Sequence, residues 1–336
     1  MYWEVHCSNI ITHFVLEGKI MYGEFWRQFC SNYTDNCKQW VHSPQNPVIP
    51  HIPGGLKDRW TANPDFLEFG GQTLLYYRGN GYAPPSMERR HDRILVARAE
   101  GSTADGKYLF HDYHTISPAV DVGSPGEFDC YDALDPTAVE FGGRVYLYYS
   151  AIGCGPDSLG LAVSEDGVRF EKKGKVLTGR GPSAVVTGDT IRLYYQLLVE
   201  GRYRVTYALS KDGVHFEPSG EWVLESEDGA WDSYSITTPR VALEDGVYYV
   251  LYGGSSYLAD EPDYFGLARS TDGVHFEKHP GNPIFGCSAK GEADGGAIWF
   301  PALFEQQDRF CMLYEGSRGK YSFDCSSEIC LSWIQK

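Results

Sequence analysis

The frame Ser-x-Asp-Gly-Val-x-Phe-Glu occurs three times in this chain, at Ser164–Glu171, Ser210–Glu217 and Ser270–Glu277. The starts lie 46 residues apart (210 − 164) and then 60 apart (270 − 210). Self-similarity at such a period restricts the chain to one supersecondary unit repeated around an axis or along a stack. The frame itself is turn chemistry. Asp-Gly supplies the positive φ of a tight turn, the Ser and Asp side chains can bond the turn amides, and the Phe opens the returning strand. Each copy is read as a structural corner that sets the register of everything else.

Upstream of each corner stands a proline, an apolar stretch, a Gly or Asp turn and an aromatic-rich strand. Asp135-Pro136 leads to Val145–Tyr149, Gly181-Pro182 to Ile191–Tyr195, and Thr238-Pro239 to Val247–Tyr252. Asn63-Pro64 with Leu74–Tyr77, and Phe300-Pro301 with Phe310–Tyr314, repeat the pattern without the full corner. Alternating polarity, Gly turns and β-branched or aromatic enrichment make these segments strands. Five four-stranded units at this spacing predict an all-β, five-bladed β-propeller over residues 46–336. The last unit lacks an outer strand. Trp40–Ile49 resembles the segment Phe276–Phe285 that follows a corner, so an N-terminal strand is expected to close the ring. Residues 1–45 fall outside the repeat and read as a short, partly helical extension over Ile10–Phe29. Phe14, Phe25, Trp26 and Phe29 would be its buried set, packed on the propeller or on a second copy in a homo-oligomer.

The net charge of −16 argues against nucleic acid and anionic membrane surfaces as partners. No apolar run is long enough to span a bilayer, and the first residues lack the pattern of a secretory signal. Nine cysteines, an odd number without a framework, read as free thiols, which leads to an expected cytoplasmic location. No metal-binding spacing is evident.

In a propeller the first strand of each blade lines the central channel, so residues flanking the five prolines converge on one mouth. The positions before them are Asn63, Asp135, Gly181, Thr238 and Phe300. Seven residues before them stand Lys57, Asp129, Lys175, Asp232 and Asp294, either a shared carboxylate cluster or loop-bonding residues in each blade. Glu292, in a Gly-rich stretch, departs from the repeat and is a site candidate for that reason; Trp299 in the same stretch reads either as a sugar-stacking ring or as core packing. Arg78 and Glu315 follow the second strands of the first and last blades. They read either as an ion pair across the closure or as sugar-hydroxyl contacts. Glu88–Arg93 is read as a solvated loop.

The segment Ser124–Val139, with its Asp-Cys-Tyr-Asp-Ala-Leu-Asp-Pro core, is similar to the second blade of five-bladed glycoside hydrolases around family 43. The Trp231-Asp-Ser and Ser-x-Asp-Gly-x-x-Phe patterns resemble the wider set that includes families 32, 117 and 130. The resemblance implies an oligosaccharide or glycoside substrate cleaved by channel-mouth carboxylates, with inversion, and a candidate Ca2+ in the channel. It carries over directly only to Asp135, because Asn63 and Arg180 stand where family 43 has its first-blade Asp and third-blade Glu. Glycoside hydrolysis needs one carboxyl kept protonated and one left ionised. The expected assignment is Asp65 as base, Glu292 as acid and Asp135 as the residue that orients the sugar and tunes the acid. Asn63, Arg78, Arg180, Asp232, Arg240, Asp294 and Trp299 are the expected substrate contacts. A family 130-like phosphorylase, with Arg180, Arg240 and Arg318 as phosphate ligands, and a non-catalytic carbohydrate-binding propeller remain alternatives.

Overall fold

A computed structural model describes residues 12–13, 21–30, 36–83, 88–102, 108–114, 116–306, 308–320 and 327–336. Five antiparallel sheets follow one another along the chain. Blade I holds Trp60–Phe69, Gln72–Gly81, His91–Ser102 and Tyr108–Asp112; blade II holds Asp132–Phe141, Arg144–Ile152, Ser158–Ser164 and Glu171–Thr178. Blade III holds Arg180–Thr187, Thr190–Val199, Arg202–Ser210 and Glu217–Leu224. Blade IV holds Ser235–Glu244, Val247–Ser255, Tyr264–Ser270 and Glu277–Lys278, and blade V holds Ala297–Gln306, Arg309–Ser317 and Ser327–Gln335. The first strand of each blade touches the first strands of its neighbours, in ring order and back from blade V to blade I. The molecule is a five-bladed β-propeller, as the repeats predict.

The ring closes through the N-terminal segment. Val41–His42 pairs with Trp333 and Ser332 as the outer strand of blade V, and Ile49 bridges to Ile329. The likeness of residues 40–49 to 276–285 has a physical basis. The Asn46 amide donates to Leu331 O (3.0 Å) and accepts from Leu331 N (2.8 Å), and Asn282 makes the same two bonds with Leu267 at 2.9 Å each. Each amide completes the edge of its blade's third strand. The ring thus takes in Val41 and His42, ahead of the boundary at residue 46.

The three corners do more than turn. At the second, Ser210 Oγ accepts from Gly213 N (2.8 Å) and Asp212 Oδ1 accepts from Val214 N and His215 N (2.8 Å each). The corner glycines have φ of +75°, +75° and +73° and nestle against the preceding blade, whose second-strand tyrosine donates to each glycine carbonyl. Tyr76 reaches Gly167 O at 2.9 Å, while Tyr148 and Tyr194 reach Gly213 O and Gly273 O at 2.8 Å. The repeated frame is therefore an inter-blade staple. The apolar core divides accordingly into clusters between successive blades.

Among the described residues of the extension, Tyr22–Arg27 is α-helical and Cys37–Gln39 forms a 3-10 turn, while residues 14–20 of the expected span lie outside the described residues. Thr12–His13 adds instead to the edge of blade I, pairing with Ser102 and Gly101. Phe25, Phe29 and Trp40 are buried against blades IV and V, and Met21 N and Gly23 N donate to Glu305 and Glu244. Phe14 lies outside the described residues. The Glu88–Arg93 run is not wholly solvated, because Arg93 is fully buried, bonded to Asp121 and to Gly81 O.

Candidate functional site at the channel mouth

The residue before each blade proline lies in the left-handed region: Asn63 (+49°), Asp135 (+52°), Gly181 (+58°), Thr238 (+49°) and Phe300 (+50°). Every one coincides with a break in pairing register between the first and second strands. Four of these residues carry side chains, each at a cost of about 1–3 kcal/mol, and such strain concentrates at functional sites. The bulges turn proline carbonyls into the channel. Arg240 crosses it and donates to Pro182 O (3.0 Å), Pro136 O (3.1 Å) and Pro64 O (3.3 Å), while its guanidinium stacks on Phe300 at 4.8 Å. Expected as a substrate contact, Arg240 is instead a central pin that divides the channel into two ends.

At one end, Asn63, Arg78, Asp135, Arg180, Gln196, Asp260, Glu261, Trp299, Phe300 and Glu315 line a cleft of about 70 Å³. Asn63 Nδ2 donates to Glu315 Oε2 (2.7 Å), and Arg78 Nη2 reaches Glu315 Oε1 (3.2 Å), so the blade V to blade I seam forms one wall. Burial raises the Glu315 carboxyl, against the pull of Arg78. On the other side, Arg180 stands between two carboxylates, its Nε 3.6 Å from Asp135 Oδ2 and its Nη1 3.6 Å from Asp260 Oδ2. These are ion pairs too long to be hydrogen bonds. Asp135 is 1 % exposed, and its Oδ1 is buried without a partner. Desolvation in the cleft pushes Asp260 up to about 6, Arg180 opposing and Asp135 and Glu261 assisting. Trp299 Nε1 donates to Asp260 O and holds that loop over the mouth.

The expected aspartates at the repeat position lie elsewhere. Asp129 Oδ2 accepts from Tyr149 OH (2.9 Å) and pairs with Lys172 Nζ (2.5 Å). Asp232 does the same with Tyr252 (3.2 Å) and Lys278 (2.7 Å), and Asp294 with Tyr314 (2.6 Å) and His42 (3.0 Å). Blade I inverts the arrangement: Lys57 occupies the repeat position and pairs at 2.6 Å with Asp112 on the outer strand, to which Tyr77 donates at 2.6 Å. A pair that keeps its geometry when its charges swap ends is a tie from inner to outer strand. Asp232 and Asp294 are thus bonded inside blades and line no part of the mouth.

Asp65 also lies away from Asp135. Residues 63 and 65 would share a face in a regular strand. The bulge breaks that alternation: Ala62 pairs with Arg78 and Asp65 with Tyr76, three residues advancing against two. Asp65 therefore falls beyond the Arg240 pin and lines a hollow of about 290 Å³ at the opposite end, with Tyr22, Thr137 and Ser183. There it accepts from Ala138 N (2.9 Å) and faces Arg240 Nε (3.8 Å), and burial raises its carboxyl. That hollow is the larger of the two, but its carboxylate is already engaged by backbone and pin. Glu292 is exposed and lines neither end. Arg318 bonds Gly291 O at the surface. Of the expected residues the mouth brings together Asn63, Arg78, Asp135, Arg180 and Trp299.

Asp260, Glu261 and Gln196 were not expected there. Asp260 belongs to the connection between the second and third strands of blade IV, residues 256–263, which is longer than those of the two preceding blades, at 153–157 and 200–201. The extended spacing between the second and third corners is the sequence signal that this blade carries insertions. Among the described residues no group of three or more His, Cys, Asp or Glu is arranged to hold a metal ion.

No protein-family model matches the chain, and no curated protein matches it. Solved structures do. A β-1,2-mannobiose phosphorylase from Listeria innocua superposes with a TM-score of 0.67 at 15% identity, covering 88% of this chain and 96% of that one. A glycoside hydrolase described as putative, from Parabacteroides distasonis, gives 0.63 at 16% identity over 89% and 97%, and a thermostable family-43 glycoside hydrolase gives 0.60 at 16% over 86% and 91%. Each is covered almost end to end, and this chain shares with them the five-bladed β-propeller fold.

Proposed function

We propose that this chain hydrolyses a terminal glycosidic bond at the mouth lined by Asp135, Arg180 and Asp260. The observation that carries this reading is the pair of carboxylates held on two sides of one guanidinium. Asp260, drawn up to about 6, serves as the acid that protonates the leaving oxygen. Asp135, ion-paired with Arg180 and otherwise unbonded, is placed to accept from a water or a sugar hydroxyl. Their separation by a guanidinium suits an inverting pair with water between, for which carboxyl groups lie about 6.5–9.5 Å apart. Asn63, Arg78 and Glu315 offer hydroxyl contacts on the opposite wall, and Phe300 and Trp299 an apolar surface for a sugar face. A cleft of about 70 Å³, small against the roughly 300–1,000 Å³ of ordinary ligand pockets, favours one terminal unit over a chain interior.

Phosphorolysis is the second reading, favoured by two arginines, Arg78 and Arg180, in one small cleft. Against it stand four carboxylates there, Asp135, Asp260, Glu261 and Glu315, a net of −2 when all are ionised (2 − 4), which repels a phosphate dianion. A panel of aryl glycosides and oligosaccharides, assayed with and without phosphate, separates the two. Turnover without phosphate supports hydrolysis, turnover only with phosphate replaces it by phosphorolysis, and binding without turnover leaves a carbohydrate-binding propeller. The charge and the cysteine usage support an intracellular setting with no nucleic-acid partner; the extension, docked on blades IV and V, gives no separate support to an oligomer.

A further inference from the structure

Cys130 and Cys154 face each other as free thiols with their sulfurs 3.9 Å apart. Cys130 is buried at the end of the loop that enters the first strand of blade II, five residues before the mouth carboxylate Asp135 (135 − 130). Cys154 is exposed in the connection that follows the second strand of the same blade. The backbone brings the two loops together: Cys130 N and Cys154 N both donate to Glu127 O, at 3.4 and 3.1 Å. Gly153 completes the contact, because a Cβ there would meet Phe128 C at 2.4 Å. The 154 side is flanked by Gly155 at φ +110°, a conformation that leaves this tip free to adjust. Closing from 3.9 Å to the roughly 2.05 Å of a disulfide is a matter of side-chain rotation and a small shift of that tip.

We propose that Cys130 and Cys154 form a modification site: a vicinal dithiol that a low-molecular-weight disulfide oxidises to an intramolecular bond. The exposed Cys154 thiolate attacks one sulfur of the small disulfide and expels the other half as a thiol. Cys130, as thiolate, then attacks the Cys154 sulfur of the mixed disulfide and expels the second half. Two protein thiols are oxidised, one small disulfide is reduced to two thiols, and the protein loses two hydrogens. The contact with Cys130 holds the Cys154 thiol above its ordinary range, so the exchange quickens as the pH rises. The bond would tie the loop feeding Asp135 to the connection that carries Asp157, whose carbonyl accepts from Gly179 N (3.0 Å) next to Arg180. The tie thus lies in the wall of the mouth, yet the site stands independently of which reaction the mouth performs.

The test treats the whole chain with oxidised glutathione and reads intact mass, thiol count and the disulfide-linked peptide. The expected result is a loss of two mass units, two fewer titratable thiols and one peptide joining Cys130 to Cys154. Cys130→Ser should instead keep one glutathione on Cys154, because the resolving thiol is gone, and Cys154→Ser should show neither product at this pair. Should a serine variant fail to fold, methylthiolation of the wild type followed by peptide mapping gives the same discrimination. A glutathione adduct that persists on wild-type Cys154, or a bond mapped to other cysteines, overturns the proposal.

Discussion

Asp129 and Asp135 stand in one short segment and both are 1 % exposed, yet they live in different chemistry. Each keeps a buried Oδ1 with no partner, but the Oδ2 of Asp129 is held by Tyr149 OH and Lys172 Nζ at 2.9 and 2.5 Å, whereas that of Asp135 has only Arg180, at 3.6 Å, and no hydrogen bond. The first arrangement recurs in blades IV and V and, with its charges exchanged, in blade I. The second occurs at one blade alone. Repetition marks what every blade needs in order to stand, and a carboxylate left unsatisfied at a strained bulge marks what the ring is built to present.

The comparison is broken most directly by mutation at the mouth. Asp260→Asn should lower kcat by about 10²–10⁴-fold, the range lost with a general acid, while Tm holds or rises because a carboxyl disfavoured as an anion is gone. In the wild type the acid must be protonated, so kcat/KM should fall as the pH rises through about 6. A profile flat from pH 5 to about 8 would remove Asp260 as the acid. Asp135→Asn should cost about 10²-fold in turnover with little change in Tm. Asp129→Ala should do the reverse. Stranding Lys172 and Tyr149 costs about 3 kcal/mol in urea unfolding, while turnover per folded molecule is kept; equal loss of activity in both variants would erase the distinction drawn here.

The inverted tie of blade I sharpens the same contrast. Lys57→Asp alone sets two carboxylates together and should destabilise by about 3 kcal/mol. Adding Asp112→Lys should recover the stability to within about 1 kcal/mol, a coupling read from a double-mutant cycle. The smallest expected effect is Gly213→Ala, about 1–3 kcal/mol, from a φ of +75° and a Cβ placed 2.6 Å from the Tyr146 ring. Activity should be untouched.

What the sequence made legible follows from this division. Asp-Gly corners and proline-led strands are local chemistry, so blade number and ring closure could be read from Ser164, Ser210, Ser270 and the echo of residues 276–285 in 40–49. The mouth was legible where it keeps the repeat register, at Asn63, Asp135 and Arg180, at the seam residues Arg78 and Glu315, and at Trp299. Asp232 and Asp294 share a repeat position with Asp129, and periodicity alone does not say whether that position faces the axis or the blade interior. Asp65 was placed by strand alternation, which the left-handed Asn63 interrupts. Asp260 lies in a connection between strands, outside the repeated frame, so no register could assign it. Of the span 10–29 expected to be partly helical, the described part is helical over Tyr22–Arg27, where Phe25 packs on blades IV and V.

Val41 pairs with Trp333, 292 residues further along the chain (333 − 41). The four main strands of each of blades I to IV are consecutive in sequence, but blade V takes its outer strand from the far side of all of them. The mouth wall formed by Asn63, Arg78 and Glu315 spans the same seam. Pairing of such high sequence separation is slow to form. The wall of the mouth and the closure of the ring are therefore one event: a molecule that opens at this seam gives up the outer strand of blade V and the Asn63–Glu315 contact together.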